Sequence, residues 1–474
     1  MSLRAKSRLL LSCSSALVMG AAVVSASFDA FAQVQVKPLG PMVLNPAPQT
    51  PVGEINAQPG SGLDQSQLAP LDPQFGEQTS EILDGQIVTG AEWEDGFDSG
   101  VRSLTELDMA SPIISENTRF FMEQAIPGYQ QIVAQGGWNQ VTYPGRPLRV
   151  GQNHDSVVEL RQRLITSGDL LPEAGLSKTF DSFVDAAVRR FQLRHGLSAD
   201  GVVGKDTVDA LNVPAVTRLR QLEMNLDRVK ELAGKMKGKY IMVNIPAARI
   251  EAVENGVIRS RHTAVVGMKD RQTPILASAV HEVNFNPYWT VPVSIIRKDL
   301  IPRMQKDPSY LAKNNIRIFD WSGNKLEWDD IDWNTQQATQ YRFTQDPGEK
   351  NSMGSIRINF HNKHQVYLHD TPEQSLFGSG NRFHSSGCVR VQNVRELVTW
   401  MLGSTTDGWD RALVDESIRS GERLDAKLKT RIPLFLSYVT AWASSDGAVH
   451  FRGDIYDMDG LNQPASGNVN LTMR

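Results

Sequence analysis

The hydrophobic pattern of this chain changes its period near Lys239, and this change constrains the fold more than any other feature. Before Lys239, apolar residues recur three or four positions apart, which is typical of helices. After it they alternate, as in 240–245, which is typical of strands. The 474 residues are too many for one ordinary domain. We therefore predict a multidomain α+β protein with helical parts first and a mostly β domain after them.

Helical stripes lie on both sides of a compact central segment. The segment 105–146 is predicted to form the first part of a helical scaffold, with Pro127 interrupting its stripe. That stripe consists of Phe120, Phe121, Ala125, Ile126, Tyr129, Ile132 and Val133. The segment 214–238 is predicted to form the second part, and we expect its apolar face to pack against the first. That face consists of Leu219, Leu222, Leu226 and Val229.

The central segment, 147–213, predicts a three-helix unit inserted in the scaffold. Its first helix has one apolar face, formed by Val157, Leu160 and Leu164. We expect the second helix to follow a Thr179 cap. Its stripe consists of Phe180, Phe183, Ala187 and Phe191. A turn at 197–201 precedes a third short helix, which contains Val208 and Leu211.

The segment 239–412 is predicted to be the mostly β domain. Its strands are expected at 240–245, 249–253, 257–266, 280–285, 355–360 and 365–369, with a hairpin turn at 254–256. A polar, tryptophan-bearing insert at about 300–350 looks like a lid. A short helix then presents Val394, Leu397, Val398 and Met401. Residues 413–474 form a C-terminal helix and strand extension with a tail, and 433–442 alternates as a terminal strand.

The N-terminus has the composition of a secretory signal peptide, assigned to residues 1–32. Three basic residues precede an apolar stretch from Leu9 to Val24, and a cleavage site ends at Ala32. An uncleaved anchor and a lipid on Cys13 are the alternatives, but the apolar run is short for a membrane span. Residues 33–104 are rich in Pro, Gln and Gly and predict a disordered linker. We expect a periplasmic or cell-envelope protein.

Cysteine usage singles out Cys388. The chain has 2 cysteines, and Cys13 would leave with the signal peptide. Exported proteins usually pair their cysteines, so a single remaining thiol is unusual. A buried structural cysteine is the alternative, but the neighbouring residues favour a reactive one. The formal charge of −4 gives no indication of nucleic-acid binding.

The residues around Cys388 supply the groups that thiol acyl transfer needs, a base and an oxyanion hole. Gly387 permits a tight turn in which successive N–H groups point at one oxyanion. His369, at the end of an alternating strand, is the preferred base, and His384 is the competing one. Arg390 is expected to lower the pKa of the thiol or to bind a substrate carboxylate. No usual zinc-ligand spacing appears, so neither a metal nor another cofactor is expected.

Two parts of the chain resemble known families. The pieces YLHDTP at 367–372 and SSGCVRV at 385–391 look like the catalytic motif of the L,D-transpeptidases, the YkuD family. Ser386 stands where the family usually has a second histidine. This departure matches the large periplasmic branch of the family, which carries a peptidoglycan-binding insert and a lid. The unit at 147–213 resembles the three-helix peptidoglycan-binding domain.

Carried over position by position, the resemblance implies a role for each residue of the motif. Cys388 is the nucleophile and His369 is the base. The oxyanion accepts hydrogen bonds from the N–H groups of Ser386, Gly387 and Cys388. Asp370 orients the histidine ring, in this family usually through its main-chain carbonyl. Its side chain is not expected to take part, since the strand period sends it to the face opposite His369. The residues expected to line the substrate site are Tyr367, Asp370, Ser385 and Arg390.

The implied reaction is a two-step acyl transfer between peptidoglycan stem peptides. The thiolate attacks the carbonyl of the third residue of a tetrapeptide donor, D-Ala leaves, and the amine of a meso-diaminopimelate acceptor resolves the thioester as a 3→3 cross-link. Carbapenems are the expected inhibitors. Water as acceptor would give an L,D-carboxypeptidase, and a lipoprotein amine would give an anchoring enzyme. Another thiol peptidase of wall peptides and a non-catalytic wall-binding protein are the remaining alternatives.

Overall fold

The computed structural model describes residues 111–460. The predicted signal peptide, Cys13, the linker, the start of the scaffold and the end of the tail lie outside the described residues. Across 111–460, no helix combines the length and apolar character needed to cross a membrane. Between residues 111 and 233 the regular elements are helices, and strands predominate from residue 239. The predicted change from helical to β structure near Lys239 is therefore confirmed.

Two long helices, α1 (Glu116–Ala134) and α5 (Ala215–Ala233), form the scaffold. They share one core, to which α1 contributes Met122 and Tyr129. The core residues of α5 are Leu222, Leu226, Val229 and Ala233. Leu219 packs against this core while remaining partly exposed. The expected packing of the two helical segments is confirmed.

Helix α1 departs from its prediction at two residues. It continues through Pro127, although proline removes a backbone hydrogen bond and typically costs about 3 kcal/mol inside a helix. Met122 and Tyr129 lie on either side of Pro127 and are anchored in the same core, so packing holds both halves of the helix in place. Phe120, expected in the apolar stripe, is 54% exposed, because the face that packs is centred on Met122.

The three-helix unit contains α2 (Asp155–Thr166), a 3₁₀ turn at Pro172–Ala174, α3 (Ser182–Arg194) and α4 (Lys205–Leu211). Its core contains most of the residues predicted for the three stripes: Val157, Leu160, Leu164, Phe180, Ala187, Phe191, Val208 and Leu211. The cap of α3 is Asp181 rather than Thr179, because the Asp181 carboxylate accepts the N–H of Val184 at 3.0 Å. This start directs Phe183 outward, where it is 38% exposed.

The three-helix unit is joined to the rest of the described chain by buried polar contacts. The Arg194 guanidinium binds the Asp169 carboxylate through two bonds of 2.6 and 2.5 Å and donates a third to the carbonyl of Val449 at 3.0 Å. The Arg163 guanidinium lies 3.7 Å from the centre of the Trp138 ring. Because the buried Arg194 guanidinium is hydrogen-bonded both within the unit and to Val449 outside it, the unit has a fixed position on its neighbours.

Fifteen strands follow in the part of the chain that the structure describes. In chain order they are β1 (Lys239–Asn244), β2 (Arg249–Glu254), β3 (Val257–Gly267), β4 (Leu276–Phe285), β5 (Trp289–Thr290), β6 (Ile316–Phe319), β7 (Lys325–Leu326), β8 (Arg342–Gln345), β9 (Ile356–Phe360), β10 (Leu368–His369), β11 (Phe383–Ser385), β12 (Val389–Val391), β13 (Leu424–Ser437), β14 (Ala441–Ala443) and β15 (Val449–Phe451). The short sheet of β14 and β15 packs on the core shared by α1 and α5.

Eight strands close into a ring in the order β3, β12, β10, β9, β4, β13, β1, β2 and back to β3. Strand β11 adds in parallel to the end of β3. Two helices cover the ring, α9 (Val394–Gly403) and α10 (Arg411–Arg419). The face predicted for α9, formed by Val394, Leu397, Val398 and Met401, lies in the core of the ring. The predicted mostly β domain is confirmed.

Three local predictions in this domain have different outcomes. The hairpin turn at 254–256 is confirmed, since Asn255 and Gly256 have φ of 55° and 78°. The strand expected at 365–369 is reduced to β10, because the Asn362 side chain bonds Phe360 and Val366 and forms a turn. The strand expected at 433–442 is replaced by the longer β13, which lies inside the sheet between β4 and β1.

The insert between β4 and β9 is a subdomain with its own core. It contains a four-stranded sheet in the order β5, β8, β6, β7. Its helices are α6 (Val293–Ile295), a π-helical turn (Ile296–Leu300), α7 (Ile301–Lys306) and α8 (Tyr310–Lys313), and 3₁₀ turns lie at Trp328–Asp330 and Gln337–Gln340. Ile296, Leu300, Ile318, Trp333 and Phe343 are buried together in it. The predicted insert at about 300–350 therefore contains a core of its own.

Candidate active site

Three short strands bring the candidate residues side by side. His369 in β10 pairs with Arg357 of β9 on one side and with Arg390 of β12 on the other. Paired residues of neighbouring strands project from the same face of a sheet. The imidazole therefore lies in a row with two guanidinium groups, and Cys388 directly precedes β12. The register of β10 and β12 brings the two predicted catalytic residues to one region of the barrel.

The His369 ring is buried and held in one tautomer. Its Nδ1 lies 2.5 Å from the carbonyl oxygen of Asp370. A carbonyl only accepts, so Nδ1 carries the proton and Nε2 keeps its lone pair. Burial, helped by the charges of Arg390 and Arg357, lowers the pKa of His369 to about 3. The ring is therefore neutral at physiological pH, with Nε2 able to accept a proton.

The Asp370 side chain has a different partner from its carbonyl. Its carboxylate accepts the backbone N–H of Ser355 at 2.9 Å and the Ser355 hydroxyl at 2.8 Å. Gly354 has a φ of 59°, and a Cβ there would lie 2.5 Å from Asp370 Cγ. The carboxylate thus fixes the turn before β9, and the main chain orients the histidine.

The Cys388 thiol is partly buried and interacts mainly with Tyr367. Burial raises the pKa of the Cys388 thiol to about 11, while hydrogen bonds from the Tyr367 backbone and side chain and the charge of Arg390 act in the opposite direction. The Tyr367 hydroxyl also accepts the indole N–H of Trp289, in β5 of the insert, at 3.1 Å. The thiol is therefore protonated at rest, and a tyrosine connects it to the subdomain.

The nucleophile loop, residues 385–388, turns at Gly387, which has a φ of 112°. The Gly387 N–H donates to the Ser385 hydroxyl at 3.1 Å, and Ser385 itself is buried. Within 111–460, the backbone N–H groups of Ser386 and Cys388 have no acceptor. Of the three predicted oxyanion donors, the loop leaves these two free and engages the third.

Two residues that the sequence did not indicate hold this loop. The Thr273 hydroxyl donates to the carbonyl of Gly387 at 2.9 Å and accepts the N–H of Gly267 at 2.9 Å. The Tyr456 hydroxyl donates to the carbonyl of Gly267 at 2.6 Å and accepts the N–H of Thr273 at 3.1 Å. Neither residue belongs to a recognisable motif, so only the fold reveals this support.

A third residue missed by the sequence, Arg271, connects the loop with the subdomain. Its guanidinium binds the Asp299 carboxylate with bonds of 2.5 and 3.1 Å and donates to the Ser386 hydroxyl at 3.0 Å. Asp299 lies in the π-helical turn of the insert. Ser386, the position that departs from the usual family pattern, is thus tied to a charged pair.

The other predicted residues lie around this centre. Arg390 forms an ion pair with Glu373 and approaches the Thr371 hydroxyl at 3.5 Å. His384 is exposed, and its Nε2 donates to the carbonyl of Asn381 at 2.9 Å, so this nitrogen is not free to act as a base. Within the part of the chain described, no three His, Cys, Asp or Glu side chains cluster as metal ligands would.

Comparisons with known proteins assign two parts of the chain to families. The family model of the YkuD "L,D-transpeptidase catalytic domain" matches residues 238–416. The model described as "Putative peptidoglycan binding domain" matches residues 153–211. A Haemophilus influenzae protein named "Putative L,D-transpeptidase" is 33% identical over 241 residues, which are 51% of this chain. The chain spans about half the length of that relative, 48%.

Two solved L,D-transpeptidase structures are also similar. One, from Xylanimonas cellulosilytica, is 16% identical with a TM-score of 0.21, covering 62% of this chain and 99% of that one. Another, from Mycobacterium smegmatis, is 14% identical with a TM-score of 0.21, covering 42% and 58%. At these scores the domain assignments rest on the two family models and on the sequence relative.

Proposed function

The chain carries an L,D-transpeptidase catalytic domain of the YkuD family and a peptidoglycan-binding domain, and from this premise we propose that it forms 3→3 cross-links between stem peptides through a Cys388 thioester. The observation that carries the proposal is the tautomer of His369. Its Nδ1–H is fixed on the Asp370 carbonyl, so Nε2 is the acceptor for the thiol proton. A neutral base beside a neutral thiol can create the nucleophile at the moment of attack.

Acylation is the first step. The Cys388 sulfur attacks the carbonyl carbon of the third residue of a tetrapeptide stem, and the thiol proton moves to His369 Nε2. The oxyanion accepts hydrogen bonds from the free N–H groups of Ser386 and Cys388. The tetrahedral intermediate then releases D-Ala, whose amine takes the proton from His369, and leaves a thioester on Cys388.

Transfer to an amine completes the cycle. The side-chain amine of diaminopimelate on a second stem attacks the thioester carbonyl and gives a proton to His369, which returns it to the departing Cys388 sulfur. Water at the same position would yield a tripeptide, the carboxypeptidase outcome. The subdomain, linked to the site through Trp289 and Arg271, favours the amine because excluding water protects a thioester.

Wall binding and location follow from the same premise. We propose that the three-helix unit at 147–213 holds the enzyme on peptidoglycan and that the signal at 1–32 exports it to the periplasm. The remaining boundaries of the domain prediction are proposed unchanged: the linker at 33–104, the scaffold at 105–146 and 214–238, the catalytic domain at 239–412, and the extension at 413–474.

Mass spectrometry of products tests the reaction. The protein is incubated with purified disaccharide-tetrapeptide, and the Cys388→Ala variant serves as the control. We expect dimers that have lost one D-Ala, absent with the variant. Tripeptide alone would identify a carboxypeptidase, and unchanged tetrapeptide would leave the wall-binding alternative.

A carbapenem tests the nucleophile independently of the acceptor. The strained β-lactam carbonyl lies beside a carboxylate, as in a stem peptide, so Cys388 should open the ring and retain the product as a thioester. Intact-protein mass spectrometry after meropenem treatment should show one adduct per chain and none on Cys388→Ala. An adduct that persists on the variant would exclude Cys388 as the site.

A further inference from the structure

A cavity of about 380 Å³ lies where the three-helix unit meets the barrel. Four segments line it: residues 195–197 after α3, 246–248 after β1, 380–383 before β11, and 452–455 near the C-terminus. The first belongs to the wall-binding unit, and the third leads directly into the nucleophile loop. The cavity is within the size range of small-molecule sites, and nothing in the proposed mechanism uses it.

Two arginines line this cavity without an acidic partner. Arg382 donates to the carbonyls of Ser379 at 3.0 Å and Ala247 at 3.3 Å, and its buried Nε has no partner. Arg452 donates to the carbonyls of Arg194 and Phe451 at 2.9 and 2.6 Å. In the described part of the chain, neither guanidinium takes part in an ion pair.

The positive charge at this place is concentrated. Burial, together with the charges of Arg249 and Arg382, lowers the pKa of Arg452 to about 9, so Arg452 still carries its charge at neutral pH. Asp454 also lines the cavity, but its carboxylate is occupied by the Tyr438 hydroxyl at 2.7 Å and by the N–H groups of Met458 and Asp459, each at 2.8 Å. These neutral donors hold the Asp454 carboxylate, and it forms no ion pair with either arginine.

The wall-binding unit holds one of these arginines in place. A Cβ on Gly196 would lie 2.7 Å from both Cδ and Nε of Arg452, and Gly196 has a φ of 71°. A side chain there would displace the guanidinium. On its other side, Arg452 lies 4.8 Å from the centre of the Trp442 ring. Arg452 is thus fixed between the two domains although it forms no ion pair.

Uncompensated buried charge is costly, and proteins usually pair it. A fixed cationic cavity is thus suited to an anion supplied from outside, and guanidinium groups bind carboxylates especially well. We propose that this cavity binds a carboxylate of a peptidoglycan stem peptide, at the junction of the wall-binding unit and the segment that leads to Cys388. The proposal rests on the proposed function, because it takes its ligand from the same polymer.

A binding measurement tests the contact between Arg382 and a carboxylate. Calorimetry with soluble disaccharide-tetrapeptide is done in the Cys388→Ala background, which prevents turnover. We expect Arg382→Gln to weaken binding about tenfold or more, since a charge-assisted hydrogen bond is lost. Arg382→Lys should recover part of the affinity, and Arg419→Gln, which removes an exposed charge from α10, should change nothing.

The ligand provides a test that does not depend on how a variant folds. Amidating the carboxylates of the same fragment should weaken its binding to the protein that retains Arg382. In the Arg382→Gln variant, amidation should weaken binding less. Equal affinity of Arg382→Gln and Arg419→Gln would overturn the proposal. Displacement of the fragment by an equal concentration of inorganic phosphate would also overturn it, since the cavity would then be a general anion site.

The two proposals can fail separately. If tetrapeptide acylates Cys388 but Arg382→Gln does not weaken binding of the fragment, the cavity proposal fails and the transpeptidase proposal stands. If binding depends on Arg382 and on the carboxylates but no thioester forms in the protein with Cys388, the reverse holds.

Discussion

The contacts that hold the three-helix unit together are close in sequence, whereas those that hold the nucleophile loop in place come from distant segments. In the unit, Leu160 and Phe191 reach their partners within about sixty residues. In the loop, Gly387 is fixed by Thr273 and, through it, by Tyr456. Local stripes are therefore sufficient to build the binding unit, whereas the catalytic loop depends on the whole closed sheet. Changes in one region should leave the other intact, and the following predictions test that separation.

The largest effect is expected at Cys388. Cys388→Ala should abolish cross-linking while sedimentation with purified sacculi remains unchanged, because no other described cysteine exists and the binding unit has its own core. Circular dichroism checks that the variant is folded. Residual cross-linking would contradict the assignment, and lost sacculus binding would contradict the separation of the two regions.

The next largest effect distinguishes two histidines. His369→Ala should slow acylation by about 10²–10⁴-fold, the usual contribution of a general base. His384→Ala should have little effect, because His384 is exposed and its Nε2 is engaged by a carbonyl. Acylation rates with meropenem, followed by mass spectrometry, compare the variants. A reversed order would make His384 the base.

The pH dependence of thiol alkylation tests how far the whole fold controls the loop. Burial raises the pKa of Cys388 from 9.0 to about 11, so thiolate should be about a hundredfold rarer in the folded chain at neutral pH. Iodoacetamide should react correspondingly more slowly than in urea, and the rate should keep rising between pH 9 and 11. A plateau below pH 9 would show that the fold does not raise this pKa.

The same pKa has a consequence for stability, and its sign can be stated. The thiol is protonated more strongly in the folded state, so its contribution to stability is complete below pH 9 and is lost as pH rises towards 11. His369 acts at the other end of the range. Its pKa is lowered on folding, so its contribution to stability is complete above about pH 6.5 and is lost as pH falls towards 3.

The free energy of unfolding in urea tests this. For His369→Gln it should depend less on pH below 6.5 than for the protein with His369.

The smallest effect concerns the link between the loop and the subdomain. Arg271→Ala removes the bonds to Asp299 and Ser386, and we expect cross-linking to fall about tenfold and the share of tripeptide product to rise, because the site admits more water. Arg303→Ala, in the same subdomain, removes only an exposed contact with Tyr310 and is the control. An unchanged product ratio would show that Arg271 does not affect closure.

The sequence predicted local features well and long-range ones poorly. The stripe of Val157, Leu160 and Leu164 follows from spacing within one helix. Thr179 and Asp181 are both good caps, and two residues of difference were enough to turn Phe183 outward. A period of two cannot show that Asn362 ends one strand early, or that β13 lies inside the sheet.

The candidate site shows the same division. A short motif indicates Cys388 and His369 as the candidate nucleophile and base, and it also indicates the main-chain contact of Asp370 with the histidine ring. The motif places Ser385 at the substrate and the Gly387 N–H at the oxyanion. In the structure, the Ser385 hydroxyl instead accepts the N–H of Gly387. Arg271, Thr273 and Tyr456 had no local pattern, because each acts through a contact with a distant segment.

The position of β13 has a consequence for how the chain acquires its structure. Ile241 of β1 pairs with Leu434, about 190 positions later, so a chain synthesised from its N-terminus can form the β1–β3 meander long before this partner exists. Until β13 arrives, β1 and β4 each keep an open edge, and such edges invite aggregation. Contacts this distant also slow folding. The Cys388 thiol therefore acquires its final surroundings only near the end of folding, after the helices of the three-helix unit have formed.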